Sequence, residues 1–295
     1  MSRTIDKVPE NASSQKYKHL NEMRSFPQEV QLANQRLSIS STATLGLYQA
    51  LKILGYKPYH MYEMATYGGN THWEIMMQGF RAQHNRWSGI QRYTKREFDK
   101  WFTGYDALVE VPSYFDMACL EAYLQDPEVK FILTERTPQS WARSFNGFVG
   151  NIVANVETPL MKILRHFNRT LNYFYILNVE AYDFWSDCTR PGDPRNQENL
   201  MRNYEHYISN VKRLIPPDRI LVVKIENGLG WEQICPFLGK QVPKGVEYPR
   251  GMEHEDAKDN VVAPLVKNAM KKLALTVMVP VALGAAAWWK WSASR

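Results

Sequence analysis

The chain of 295 residues has only three cysteines, and their spacing excludes the cysteine-rich classes of protein. Cys119, Cys188 and Cys235 form no CxxC pair and no Cys/His pattern with the spacing of metal ligands. We therefore expect no metal site and no disulfide framework, and we expect three free, buried thiols in a reducing compartment. The N-terminus also lacks an apolar signal segment, which favours a cytosolic body.

Acidic residues are absent from the last 29 residues, and this part of the chain holds most of the excess positive charge. The formal net charge is +6, and Lys267, Lys271, Lys272, Lys290 and Arg295 contribute +5 of it. A basic tail on a nearly neutral body argues against a nucleic-acid-binding face. It indicates a membrane surface as the partner.

The same tail contains an uncharged run of 17 residues between Lys272 and Lys290. As a helix this run would be about 25 Å long, just short of a typical hydrocarbon core. We expect a C-terminal hydrophobic helix at about 273–289 that anchors the body to the endoplasmic reticulum or the outer mitochondrial membrane. A helix lying on the membrane surface, or one docked on the protein, are the alternatives.

The remaining sequence predicts one α/β domain. Residues 1–35 are polar and are expected to form an arm, residues 36–262 the domain, and residues 263–295 the basic linker and C-terminal segment. Short apolar runs typical of strands lie near positions 38, 59, 109, 132 and 222, each followed by helical periodicity. This order predicts a mostly parallel sheet flanked by helices.

Residues 36–56 are predicted to form a strand, a turn rich in hydroxyl side chains, and a helix that stops at Gly55. The backbone N–H groups and the dipole at such a helix start can hold an anion such as a phosphate. The candidate binding residues are Ser41, Thr42 and Thr44. The alternative is a serine-rich turn that caps an ordinary core helix.

Arg136 and Ser144 form a second candidate anion site. Arg136 follows the strand predicted at 129–135, and Ser144 comes eight residues later, beyond a helix start at Thr137 and Pro138. A guanidinium and a hydroxyl can bind one phosphate together. The alternative for Arg136 is a structural salt bridge.

Three segments in this order resemble the P-loop sulfotransferase superfamily, in particular its fungal-type branch. The stretch ALKILGYKPYHMYEM is similar to the family's LGYGPCYHM, and ILTERTP is similar to ILTVRDP. The segment IPPDRILVV with GWEQICPFLG is similar to VPPDRLLVY with GWEPLCxFLG. The resemblance covers residues 37–250.

The resemblance implies a parallel-sheet α/β fold that binds 3′-phosphoadenosine 5′-phosphosulfate and transfers its sulfuryl group to a hydroxyl or an amine. It implies that Arg136 and Ser144 bind the 3′-phosphate. Glu110 in VEVP matches the acid of the family's VDWP, and His60 matches the histidine of YHM, so both are candidate catalytic bases. Alternatively, Glu110 pairs with an arginine and His60 is a hydrogen-bonded core residue.

The sequence departs from the family in the first candidate loop. Where the family has GLPRTGTTSL, this chain has SISSTATLGL, so Ser41 replaces the basic residue and Ala43 a glycine. Loss of one contact to a transferring anion lowers rates by about 10²- to 10³-fold in comparable sites. The loop therefore predicts an impaired site for the 5′-phosphosulfate.

Three functions remain open from the sequence. The first is a membrane-associated sulfotransferase that acts on a lipophilic small molecule, in natural-product biosynthesis as the fungal-type resemblance implies. The second is the same fold used for a dehydration, cyclisation or rearrangement with Glu110 or His60 as acid or base. The third is a non-catalytic membrane scaffold for other pathway enzymes.

Overall fold

A computed structural model describes residues 3–8, 42–249 and 262–294 of the chain. Within these residues α-helices predominate, joined by short strands and single turns of 3₁₀-helix. The α-helices are α1 (Thr42–Ile53), α2 (Met61–Tyr67), α3 (Gly69–His84), α4 (Lys95–Trp101), α5 (Ala118–Leu124), α6 (Pro138–Phe145), α7 (Asn151–Val156), α8 (Pro159–Leu164), α9 (Arg169–Ser186), α10 (Asn196–Leu214), α11 (Trp231–Leu238) and α12 (Ala263–Ala293). The strands are β1 (Pro58–Tyr59), β2 (Ala107–Leu108), β3 (Phe131–Glu135) and β4 (Ile220–Lys224).

The strands form two parallel pairs. β1 lies beside β2 with Pro58 opposite Ala107, and β3 lies beside β4 with Phe131 opposite Ile220. Parallel neighbours connected through helices confirm the α/β prediction. The single sheet that we predicted is not found among the described residues, where the two pairs are separate. The strand predicted near position 38 lies outside those residues.

Side chains of the strands alternate between two apolar layers. In β3, Phe131 and Leu133 belong to the large core that includes α3, α4, α9 and α10, whereas Ile132 packs with α1 and α11. β2 follows the same rule, with Leu108 in the first layer and Ala107 in the second. Because successive side chains of a strand point to opposite faces, helices cover both sides of the strands. This explains why every residue of β3 is buried.

Polar caps set helix boundaries where the sequence predicted them. Before α6, the Oγ1 atom of Thr137 accepts the N–H of Ser140 at 3.3 Å, and a proline occupies the first turn. The aromatic-rich segment at 158–187 is divided at Asn168. The Asn168 side chain accepts the N–H of Leu171 at 3.0 Å and starts α9.

Helix α12 covers the predicted C-terminal segment and begins against the body of the protein. Ala269 is fully buried in a cluster with side chains of α7, α8 and α9, and Asn268 Oδ1 accepts from Asn168 Nδ2 at 3.1 Å. The start of α12 is therefore docked, as one of the alternatives expected. Among the described residues, no helix is both long and apolar enough to cross a membrane. The predicted membrane span is not supported; its uncharged run reaches only about 25 Å against a hydrocarbon core of about 30 Å.

All three cysteines are free, but one of them is not buried as predicted. Cys119 and Cys235 are buried, whereas Cys188 is exposed. Cys188 follows Asp187 in the turn that ends α9, and both residues have positive φ, 50° for Asp187 and 59° for Cys188. Such turns run over the protein surface, where their polar backbone groups reach water. In the described part of the chain, no three His, Cys, Asp or Glu side chains lie close enough to hold a metal ion.

Candidate active site

His60 and Glu110 lie side by side at the carboxyl ends of a parallel strand pair. His60 directly follows β1, and Glu110 follows β2 after one intervening residue. Because parallel strands end at the same edge, the topology brings these two distant positions together. The His60 Nε2 atom lies 3.0 Å from Glu110 Oε2, and both side chains are fully buried. The close partner of Glu110 is thus a histidine rather than the arginine considered from the sequence.

A backbone contact determines which nitrogen of His60 carries the proton. His60 caps the N-terminus of α2, where its Nδ1 atom accepts the N–H of Tyr62 at 2.9 Å. An imidazole nitrogen that accepts a hydrogen bond has no proton of its own, so the neutral ring is protonated on Nε2. The Nε2–H group is the one that faces Glu110. His60 therefore caps α2 and also lies against Glu110, and we call these two residues the His60–Glu110 pair.

Glu110 occupies the centre of a strained turn. Its φ and ψ angles are 68° and −49°, and the N–H of Val111 donates to the carbonyl of Val109 at 2.8 Å. This is a γ-turn with positive φ, which is rare for a residue that has a side chain. Strained residues of this kind cluster at active sites.

Burial disfavours the charged forms of His60 and Glu110, the two residues of the pair. Removal from water raises the pKa of Glu110 well above its ordinary value and lowers the pKa of His60 to about 3. The two side chains are close, yet their alignment forms no hydrogen bond. His60 Nε2 and both carboxyl oxygens have no hydrogen-bond partner among the described residues. Such orphaned buried atoms are rare, and a substrate with donor and acceptor groups would satisfy them.

Arg136 lies at the end of β3 on the wall of a cavity of about 570 Å³. Its backbone is held by Tyr204, whose hydroxyl accepts the Arg136 N–H at 2.8 Å and donates to the Arg136 carbonyl at 3.0 Å. Burial lowers the pKa of the guanidinium, and its buried Nε has no hydrogen-bond partner in the described part of the chain. A purely structural salt bridge is therefore not favoured. Other charged residues line the cavity: Lys212, Lys224, Glu135, Glu205 and Glu226.

A family model described as "Sulfotransferase domain" matches residues 36–257. The chain belongs to the sulfotransferase family. It is also similar to "Ava biosynthesis cluster protein M" of Aspergillus versicolor, with 30% identity over 223 residues that cover 72% of this chain and 78% of that protein. The resemblance that three sequence segments predicted is confirmed.

The first candidate loop, which the sequence predicts to bind an anion, falls mostly outside the described residues. Ser41 is among the residues not described, and α1 begins at Thr42, whose side chain is not described either. Thr44 lies in the first turn of α1 and is 1% exposed. The helix that the sequence predicts in this stretch is observed as α1 and ends at Ile53, two residues before Gly55. The roles of Ser41, Thr42 and Thr44 in binding stay predictions.

Ser144, which the sequence predicts to bind a phosphate together with Arg136, lies near the C-terminal end of α6 and is partly buried. It is about two helical turns beyond Arg136. No hydrogen bond joins the two side chains in the part of the chain that the structure describes. Their shared contact with a phosphate stays a prediction.

Sequence reasoning did not identify Tyr48 and Glu63, which lie next to His60. The Tyr48 ring centre is 5.3 Å from that of His60, and the Tyr48 hydroxyl donates a hydrogen bond to Glu63. Burial and the Glu63 carboxylate raise the pKa of Tyr48. The sequence contains a signal for Glu63, because this residue lies three positions after the helix cap His60. It contains no such signal for Tyr48, because only the fold brings α1 next to His60.

Proposed function

We propose that this protein is an enzyme of natural-product biosynthesis that acts on a small molecule through Glu110 and His60. The similarity to a biosynthesis cluster protein of Aspergillus versicolor supports a role in natural-product biosynthesis. The observation that carries the proposal is the pair itself: two fully buried titratable groups lie 3.0 Å apart, and their facing atoms, His60 Nε2 and the two Glu110 carboxyl oxygens, have no hydrogen-bond partner among the described residues. Titratable groups with shifted pKa values and a specific neighbour are typical of active sites.

The uncharged resting state suits Glu110 as an acid. A carboxyl group that keeps its proton at neutral pH can donate it to a substrate hydroxyl, and the C–O bond then breaks with loss of water. The resulting carboxylate takes a proton from the adjacent substrate carbon, which forms a double bond and restores Glu110. Between these two proton transfers, a small rotation of the carboxylate would bring it into line with the Nε2–H of His60, 3.0 Å away, which could then stabilise the negative charge by donating to it. Dehydration, or a cyclisation started by the same proton transfer, fits these steps.

Arg136 favours sulfuryl transfer as a second candidate function. Its buried Nε has no hydrogen-bond partner among the described residues and lies beside the cavity of about 570 Å³. This nitrogen fits the 3′-phosphate of 3′-phosphoadenosine 5′-phosphosulfate, with Ser144 as the second ligand. The nucleotide would supply the sulfuryl group. Glu110 would then have to be ionised to take the proton of an acceptor hydroxyl, which its burial opposes. Because Ser41 and Ala43 also replace a cation and a glycine, this function ranks second.

Comparison of the metabolites of cells that contain the wild-type protein or Glu110→Gln tests the first candidate. Glu198→Gln, a change on the exposed face of α10, is the matched control. We expect Glu110→Gln alone to accumulate an intermediate that is heavier than the product by one water, or isomeric with it. Unchanged metabolites in both variants would contradict the acid–base role of Glu110. The remaining candidate would then be the non-catalytic scaffold.

Calorimetric titration with adenosine 3′,5′-bisphosphate separates the two candidates. Binding by the wild-type protein that weakens in Arg136→Ala would support a nucleotide site and sulfuryl transfer. Absence of binding at millimolar concentration would remove the second candidate and leave the first one intact. A sulfated product in cells with the wild-type protein would reverse the ranking.

A further inference from the structure

Ser113 is a buried residue that forms hydrogen bonds to the backbone of Glu110. Its N–H and its hydroxyl both donate to the carbonyl oxygen of Glu110, at 3.0 and 2.7 Å. Ser113 is 2% exposed and lies in the 3₁₀ turn Val111–Phe115, every residue of which is buried. The hydroxyl contact is therefore shielded from water, and its loss would leave the carbonyl with fewer donors.

The turn at Glu110 decides where its carboxyl group points. A φ of 68° is disfavoured for a residue with a Cβ atom and persists only where the surrounding contacts require it. The hydrogen bond between Val111 and Val109 closes the turn, and the two bonds from Ser113 hold the Glu110 carbonyl. Rotation of Glu110 to an ordinary conformation would break these bonds and move its side chain away from His60.

We propose that Ser113 is a positioning residue whose hydroxyl keeps Glu110 in its strained turn and holds the carboxyl group against His60. The inference rests on the proposed function, because it concerns the same pair. A serine that only stabilised the 3₁₀ turn would contribute to stability and to nothing else. The test therefore needs a measurement at His60.

The rate at which the Nε2 proton of His60 exchanges with water tests whether the Glu110 carboxyl group is held against this ring. In the full chain labelled with ¹⁵N-histidine, the His60 resonance is identified by its loss in His60→Gln. We expect the wild-type ring to be protonated on Nε2, with slow exchange of that proton with water. Ser113→Ala should accelerate this exchange about fivefold or more, because loss of one hydrogen bond changes a local equilibrium by about that factor.

Ser186→Ala is the matched control. Ser186 is fully buried and its hydroxyl donates to the carbonyl of Thr189 at 3.0 Å, far along the chain from the pair. It should lower the unfolding midpoint much as Ser113→Ala does, yet leave the His60 resonance and its exchange unchanged. If Ser113→Ala does not fold, Ser113→Cys keeps the size with a weak donor and should show a smaller acceleration.

Exchange in the Ser113 variant that equals the wild-type rate would overturn the proposal while leaving the pair in place. The same acceleration in Ser113→Ala and Ser186→Ala would also overturn it, because it would show only general loosening. A wild-type His60 ring protonated on Nδ1 would contradict the pair itself and with it the proposed function. The two failures are thus distinguishable.

Discussion

Replacement of Glu110 by glutamine should change the way in which folding stability depends on pH. Burial raises the pKa of Glu110 well above its ordinary value of 4.5. Above that value the unfolded chain has lost a proton that the folded protein still holds. The wild-type protein should therefore lose stability relative to Glu110→Gln as the pH rises from 4.5 towards the pKa in the folded state.

The size of the effect follows from the linkage between proton binding and folding. One proton held only by the folded state changes the free energy of unfolding by about 1.4 kcal/mol per pH unit. Between about pH 5 and pH 6, the difference between the two proteins should thus shift by about 1.4 kcal/mol in favour of the glutamine variant. His60 acts in the opposite sense: its pKa is lowered to about 3 by burial, so it withdraws stability as the pH falls below 6.5. Because His60 is present in both proteins, the subtraction largely removes its contribution.

Urea unfolding followed by tryptophan fluorescence at several pH values measures this difference. Glu97→Gln is the control, because the pKa of Glu97 is shifted in the opposite direction to that of Glu110. Burial acts to raise the pKa of Glu97, but hydrogen bonds from Thr94 and Arg3 lower it overall. The advantage of the wild type over Glu97→Gln should be constant above pH 4.5 and shrink below it. A difference between wild type and Glu110→Gln that stays constant from pH 5 to pH 6 would refute the reasoning, since it would mean that the Glu110 carboxyl ionises normally.

The other predictions concern the anion site, a polar network and the C-terminal helix. Arg136→Ala should weaken adenosine 3′,5′-bisphosphate binding by about tenfold or more in calorimetry, because a charge-assisted hydrogen bond is lost; equal affinity would exclude Arg136 from the site. Asn146→Ala should lower the free energy of unfolding by about 2 kcal/mol, because Asn146 accepts from the Tyr182 hydroxyl at 2.7 Å and donates to Asn196 at 2.8 Å. Urea unfolding with a change below about 0.5 kcal/mol would contradict that role. Ala269→Asp should detach the start of α12, because Ala269 is fully buried and a carboxylate there would be unpaired; limited proteolysis should then cut α12 faster than in the wild type, and an unchanged rate would argue against the docking.

Local features of the sequence were enough to select most of the candidate residues. His60, Glu110 and Arg136 were chosen because each follows an apolar strand and matches a family segment, and the structure places each at a strand end. The cap at Thr137 was also predicted and is observed. Such features depend on neighbours within a few residues, and these neighbours are visible in a single sequence.

Contacts between distant parts of the chain could not be predicted in this way. Cys188 was expected to be buried, but the turn that ends α9 exposes it. The strand pairs were expected to form one sheet, and among the described residues they are separate. Burial and strand pairing are properties of packing, which propensity and periodicity do not determine.

The sequence by itself determined the α/β class, the family and the residue types available for proton transfer and anion binding, because motifs and periodicity are written in consecutive residues. Only the tertiary structure decided that His60 and Glu110 lie 3.0 Å apart and that both are fully buried. It also decided that Glu110 adopts a strained turn against Ser113. The physical reason is that exclusion of water raises the pKa of a carboxyl group, and the residues that exclude water from Glu110 come from distant parts of the chain.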